Sequence, residues 1–142
     1  MEAVEREKCT ALHGVPTMFI GILENERFEN YDFSTLRTGI MAGSPCPIKV
    51  MRQVIDKMNM TDITIAYGQT EFSPVITQTR VDDPIELRVS TVGKPLPGVE
   101  VKIVDPETGD EVAPGVQGEL VARGYGVMKG YYDMEEATRA TI

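Results

Sequence analysis

Apolar and polar positions along the chain follow two different periods, and the change falls near residue 77. Residues 2–9 read as a helix and Thr10-Ala11-Leu12-His13 as a short strand. Gly14-Val15-Pro16 turns the chain, with Pro16 suited to open the next helix. In that helix Met18, Phe19, Ile22 and Leu23 share one face by their spacing of three to four. Residues 30–34 read as loop, and residues 36–42 as a buried strand weakened by Gly39. The stripe Ile48, Met51, Val54, Ile55 and Met58 predicts an amphipathic helix, with Lys49, Arg52, Gln53, Asp56 and Lys57 on its other sides. The apolar run Ile63-Thr64-Ile65-Ala66 predicts the next strand. Strand, helix, strand, helix, strand implies parallel strands joined by crossover helices, an arrangement that binds ligands at the strands' carboxyl ends.

From Thr77 onward, period-two alternation with more Pro and Gly replaces the helical stripes. Val99, Val101 and Ile103 alternate with Glu100 and Lys102, as in a strand wetted on one face. Asp105-Pro106-Glu107-Thr108-Gly109-Asp110 and Pro114-Gly115-Val116-Gln117-Gly118 read as turns, the second leading into a strand over 119–123. A helix starts near Met134-Glu135-Glu136-Ala137-Thr138. The fold expected is therefore α/β: a partial parallel αβ-layered subdomain over 1–76, then part of a β-rich antiparallel subdomain over 77–142. No internal repeat or low-complexity segment interrupts it.

A chain of 142 residues with 42% hydrophobic content has the size and composition of an ordinary soluble domain, so disorder is not expected. Fourteen basic against 22 acidic residues leave a net charge of -8, which argues against nucleic acid or an anionic membrane as a partner held by charge alone. An anionic ligand would need help from backbone N–H groups or a metal. Cys9 and Cys46 have no CxxC spacing and His13 is the sole histidine, which leaves no structural zinc site and favours reduced thiols. No run approaches the roughly 20 apolar residues of a membrane span, and the acidic opening lacks a signal-peptide pattern. A cytoplasmic location is expected, or a mitochondrial one if a targeting segment precedes the chain.

Candidate chemistry gathers at two strand ends. Tyr67-Gly68-Gln69-Thr70-Glu71 follows the strand over 63–66 and offers a stacking face, close backbone approach, a hydroxyl for phosphate and a carboxylate for a cation. Gly43-Ser44-Pro45 follows the preceding strand, one crossover helix earlier, as a two-walled nucleotide pocket would require. A half-buried tyrosine and a solvated glutamate at an ordinary turn is the bland alternative. His13 reads as a polar residue ending a strand, Cys46 as packing, most of the methionines as core filler, and Gly124, Gly126 and Gly130 as turn glycines.

The aromatic-Gly-x-Thr-Glu string resembles the adenylate-forming superfamily of acyl-CoA synthetases, luciferases and peptide-synthetase adenylation domains. Further stretches agree in order: Gly14-Val15-Pro16-Thr17-Met18-Phe19, the run from Arg37 through Gly43-Ser44-Pro45, Val92-Gly93-Lys94-Pro95, and Gly118-Glu119-Leu120 leading to Gly124-Tyr125-Gly126-Val127-Met128-Lys129-Gly130-Tyr131. The wording is most similar to medium-chain fatty acyl-CoA ligases. The resemblance implies that Gly43, Ser44 and Pro45 border the adenine of ATP or AMP, with Tyr67 stacked on it and Gly68 and Gln69 completing the loop. It implies that Thr70 meets the α-phosphate or acyl-adenylate and that Glu71 helps to hold Mg²⁺, a hard cation suited to carboxylate and phosphate oxygens. A fatty-acid carboxylate would attack ATP, releasing pyrophosphate, and CoA would then displace AMP.

Other parts of the family pattern are not found in these residues: a Ser/Thr/Gly-rich phosphate loop with its lysine, and the mobile carboxyl-terminal domain with its catalytic lysine. Thr108-Gly109-Asp110 copies a ribose-binding motif but precedes Gly118-Glu119-Leu120, whereas the family has that motif after it. The chain thus resembles a central slice of a family member, expected to hold ATP weakly and to be inactive by itself. Two alternatives stay open: an adenylation module that loads a carrier protein, and a non-catalytic interaction or structural fragment of the same fold. Acyl chain length and oligomeric state are not legible.

Overall fold

The computed structural model describes all 142 residues. Helix α1 (Glu2–Arg6) stops short of residue 9, because Lys8 takes a positive φ of 52° and turns the chain. Helix α2 (Pro16–Leu23) opens on its proline as expected. Its inner face is centred on fully buried Phe19, with Ile20, Ile22 and Leu23 packed beside it. Met18, expected on that face, is instead 36% exposed.

Strands β1 (Thr38–Ala42) and β2 (Asp62–Gly68) pair in parallel, from Thr38 opposite Asp62 to Ala42 opposite Ala66. The segment over 10–14 runs parallel to the outer side of β1: the Leu12 N–H donates to the Thr38 carbonyl at 3.1 Å and the Gly14 N–H to the Ile40 carbonyl at 3.0 Å. Gly39, expected to weaken β1, has a steric role in it. A Cβ at that position would lie 1.9 Å from the Leu12 carbonyl oxygen, so glycine is what lets the two segments lie together.

Helix α3 (Ile48–Met58) makes the crossover between these strands. It buries Val50, Met51, Val54 and Met58, which fall within an arc of about 100°. Ile55 and Ile48 lie on one side of that arc, beyond Met51, and Ile48 is 37% exposed. Each of the four buried side chains contributes on the order of 1.5–3 kcal/mol of burial, an upper bound because unfolded chains already hide some apolar surface. Asn59 ends α3 in the left-handed conformation, and its Nδ2 donates to the carbonyls of Ser34 (3.0 Å) and Leu36 (2.8 Å).

Strands β3 (Val75–Gln78) and β4 (Lys94–Pro95) complete a sheet of order β1-β2-β3-β4. Between them lies helix α4 (Ile85–Ser90), which the period-two reading after residue 77 did not anticipate. It is under two turns long, too short to show a helical stripe. Its anchor is a buried arginine, Arg88, whose guanidinium donates to the backbone carbonyls of Asp83 (2.8 Å), Thr61 (3.2 Å), Ile63 (2.9 Å) and Val81.

By packing, the chain forms two units that interleave in sequence: Met1–Tyr67 with Thr77–Lys94, and Gly68–Ile76 with Pro95–Ile142. In the second unit, β5 (Val99–Val104) pairs antiparallel with β6 (Glu119–Gly124), Val99 opposite Gly124. The expected alternation holds over residues 99–103, where Glu100 and Lys102 are exposed, Val99 is buried and Val101 and Ile103 are half-buried; Val104, of the same parity as Glu100 and Lys102, is buried and ends it. Phe72, Ile76 and Val99 form this unit's core, with Leu96, Val101 and Leu120 packed against it. Helix α5 (Glu135–Thr141) follows, near the expected start.

Candidate functional site

The register of β1 and β2 fixes the first half of the site. Ala42 and Ala66 are the last paired residues of β1 and β2, so Gly43, just after β1, and Tyr67, next to last in β2, lie level with each other beyond that pairing. Gly43 has a φ of +89°, and a Cβ there would lie 3.2 Å from a methyl of Val15. The turn therefore favours glycine on both conformational and steric grounds. Ser44 and Pro45 follow, both exposed, and the Tyr67 side chain is 37% exposed at its strand end. In the first unit Gly43, Ser44 and Pro45 thus follow β1 at the same end of the pairing as Tyr67.

Gly68 to Glu71 belong to the second unit. Gly68 closes β2, and Gln69 is extended (φ -149°, ψ 160°) before a single 3₁₀ turn over Thr70–Phe72. Ser73 then takes a left-handed conformation with φ 57°. The chain doubles back over its own glycine: a Cβ on Gly68 would lie 1.8 Å from the Pro74 carbonyl oxygen. Gln69 and Thr70 are exposed, Glu71 is half-buried, and Phe72 points into the core.

Glu71 is held twice. Its carbonyl accepts from the Met128 N–H at 2.8 Å, and its carboxylate Oε1 accepts from the Tyr131 hydroxyl. That hydroxyl, followed by the residue's own N–H, keeps the Glu71 carboxyl below the usual glutamate range, while the carboxylate raises the Tyr131 phenol. Tyr131 is the site neighbour that sequence reasoning missed. Gly130-Tyr131 stood within a matched stretch, but no local pattern pairs residues 60 positions apart.

The remaining candidates are structural. His13 is exposed on the segment beside β1. Cys46 is buried with its Sγ 2.9 Å from the Met41 Sδ, and desolvation pushes its thiol up to about 11, so it is no nucleophile at neutral pH. Thr108-Gly109-Asp110 lies in the turn after β5, where the Asp105 carboxylate accepts from the N–H groups of Glu107 and Thr108.

No group of three or more His, Cys, Asp or Glu side chains converges anywhere in the chain. A cage built wholly from protein ligands is therefore absent. Mg²⁺ bound with a nucleotide, however, needs only one or two carboxylates besides phosphate oxygens and water, and a single anionic Glu71 fits that requirement.

Parallel strands carrying Gly43-Ser44-Pro45 and an aromatic-Gly-x-Thr-Glu string at their carboxyl ends define part of an adenylate-forming α/β fold. The chain belongs to the AMP-binding enzyme family, whose model matches residues 1–132. Over all 142 residues it is 64% identical to the Bacillus subtilis (strain 168) protein named "Putative acyl-CoA synthetase YngI", of which it covers 26%. It is 44% identical to the mitochondrial medium-chain acyl-CoA ligase of Mus musculus, covering 23% of that protein. Among solved structures, the anthranilate CoA ligase AuaEII in complex with anthranoyl-AMP superposes with a TM-score of 0.85 at 28% identity, over 96% of this chain and 26% of that one. The chain spans about a quarter of the length of the curated relatives it matches.

Proposed function

We propose that the chain is the central part of an ATP-dependent acyl-CoA synthetase that activates a medium-chain fatty acid as acyl-AMP and transfers the acyl group to CoA. The observation that carries this reading is that Gly43 and Tyr67 lie level just beyond the carboxyl end of the parallel β1–β2 pairing. It is supported by the acyl-CoA synthetase and ligase names of the relatives, a medium-chain ligase among them. Gly43, Ser44 and Pro45 border the adenine, and the Tyr67 ring stacks on it. Gly68 and Gln69 carry the backbone past the nucleotide, and the Thr70 hydroxyl hydrogen-bonds the α-phosphate. Glu71 would hold Mg²⁺, which would supply neutralisation of phosphate charge while the fatty-acid carboxylate attacks the α-phosphate and pyrophosphate leaves.

These 142 residues by themselves bind nucleotide weakly and do not complete either half-reaction, because the cationic groups that would stabilise β- and γ-phosphate charge are not found in this sequence. Calorimetry with AMP tests the nucleotide reading: weak saturable binding is expected for the wild type and its loss for Tyr67→Ala. No binding by either protein would favour a structural role for this fold. Pyrophosphate exchange tests the other half. Exchange by the purified chain with ATP, Mg²⁺ and octanoate would overturn the inactivity.

A further inference from the structure

Glu71 takes part in none of the chain's ion pairs. Its only side-chain partner is a neutral phenol, that of Tyr131. A lysine or arginine in that place would fix the carboxylate equally well, but it would also cancel its charge and compete with a cation. A phenol fixes one oxygen and leaves the negative charge available.

Tyr131 is itself anchored. Its N–H donates to the Thr138 Oγ1 at 2.9 Å, and that hydroxyl donates to the Met134 carbonyl, also at 2.9 Å. Gly130 makes the approach to α5 possible: its φ is +146°, and a Cβ there would meet the Thr138 Cγ2 at 2.9 Å. The Met128 N–H fixes the Glu71 main chain from the same segment. Main chain and side chain of Glu71 are thus both tied to residues 128–131, and those residues are tied to α5.

We infer that Tyr131 is a positioning residue: its hydroxyl orients the Glu71 carboxylate for a divalent cation carried by a nucleoside phosphate. The inference rests on the reading of Glu71 as a cation ligand, and the test separates the two.

Mn²⁺ is titrated into the 142-residue chain with ATP in excess, and paramagnetic broadening of the Glu71 and Thr70 amide resonances reports the metal. Broadening is expected in the wild type, and its loss in Glu71→Gln. In Tyr131→Phe the Mn²⁺ midpoint should rise about tenfold, as for other groups that orient a metal ligand. Metal-free AMP binding should stay unchanged, a split that a merely structural role would not produce. Tyr131→Phe should add nothing in the Glu71→Gln background. Thr138→Val keeps the phenol but removes its anchor, and should shift the midpoint in the same direction by less.

Wild-type resonances that do not broaden, or broadening that survives Glu71→Gln, would overturn the metal reading and the inference with it. Broadening lost in Glu71→Gln but unchanged in Tyr131→Phe and Thr138→Val would overturn the role of Tyr131 alone. Equal weakening of Mn²⁺ and metal-free AMP binding in Tyr131→Phe would also overturn it.

Discussion

The Pro74 carbonyl passes over Gly68 so closely that a Cβ on the glycine would sit 1.8 Å from its oxygen. Gly68 is thus the point about which the Tyr67 to Glu71 loop folds back, and its lack of a side chain serves the backbone before any ligand arrives. Gly68→Ala must push the two segments apart and is expected to destabilise the chain by about 1–3 kcal/mol. Urea denaturation measures this, and an unchanged midpoint would mean that the loop opens without cost.

Tyr67 lies next to last in β2 with 37% of its surface exposed, so part of its ring is open to solvent. Stacking of a base on an aromatic side chain contributes about 1–3 kcal/mol. Tyr67→Ala should therefore weaken AMP binding by roughly tenfold or more. Tyr67→Phe keeps the ring face and should bind AMP as the wild type does; a loss in Tyr67→Phe equal to that in Tyr67→Ala would assign the contact to the hydroxyl instead.

Arg88 is buried without an ion pair, and four backbone carbonyls take up its guanidinium. Arg88→Met leaves those acceptors unpaired near the start of β2 and is expected to cost about 3 kcal/mol, at the upper end of ordinary single substitutions. Arg88→Lys offers a single amine that cannot reach all four and should recover only part. Chemical denaturation of both variants checks the order, which would be wrong if lysine restored full stability.

Asp32 gives the acid limb of stability a sign. The Ser34 hydroxyl, and after it the Ser34 N–H at 2.8 Å, hold the Asp32 carboxyl below its ordinary 3.8. The folded-state value lies under the unfolded one, so near pH 3.8 the unfolded chain binds more protons and stability rises with pH. The contribution is present above 3.8 and is lost as pH falls through the folded-state value. Asp32→Asn should flatten the denaturation midpoint against pH over that interval, and an unchanged slope would remove Asp32 from the account.

The legible parts of the fold are those set by near neighbours in sequence. Ile63 to Ala66 and the helix over 48–58 announce themselves by period, and two such strands with one crossover helix imply parallel pairing with Gly43 and Tyr67 at the same end. Val50 escaped the reading because the inner face of α3 is centred between Met51 and Val54, not on Ile48. Helix α4 escaped because six residues show no stripe, and its anchor Arg88 is of a residue type expected outside. Gly39 and Gly68 read as weak points or ligand contacts, whereas the carbonyls of Leu12 and Pro74 explain them. The bond from Tyr131 to Glu71 spans 60 residues and leaves no periodic trace at either end.

Burial of Cys46 pushes its thiol from 9.0 up to about 11, by desolvation, and this has two measurable consequences. In the native state at about pH 8 the thiolate fraction is small, so alkylation of Cys46 should be at least about a hundredfold slower than in urea-unfolded chain. The half-buried Cys9 serves as the internal comparison, identified by peptide mapping. The second consequence concerns stability. Between 9.0 and about 11 the unfolded chain has lost the proton that the folded chain keeps, so stability is complete below 9.0 and declines as pH rises through that window. Cys46→Ala should remove that decline while costing some packing against Met41. Rapid alkylation of Cys46 in the folded chain, or a decline that persists in Cys46→Ala, would show that another group governs the alkaline limb.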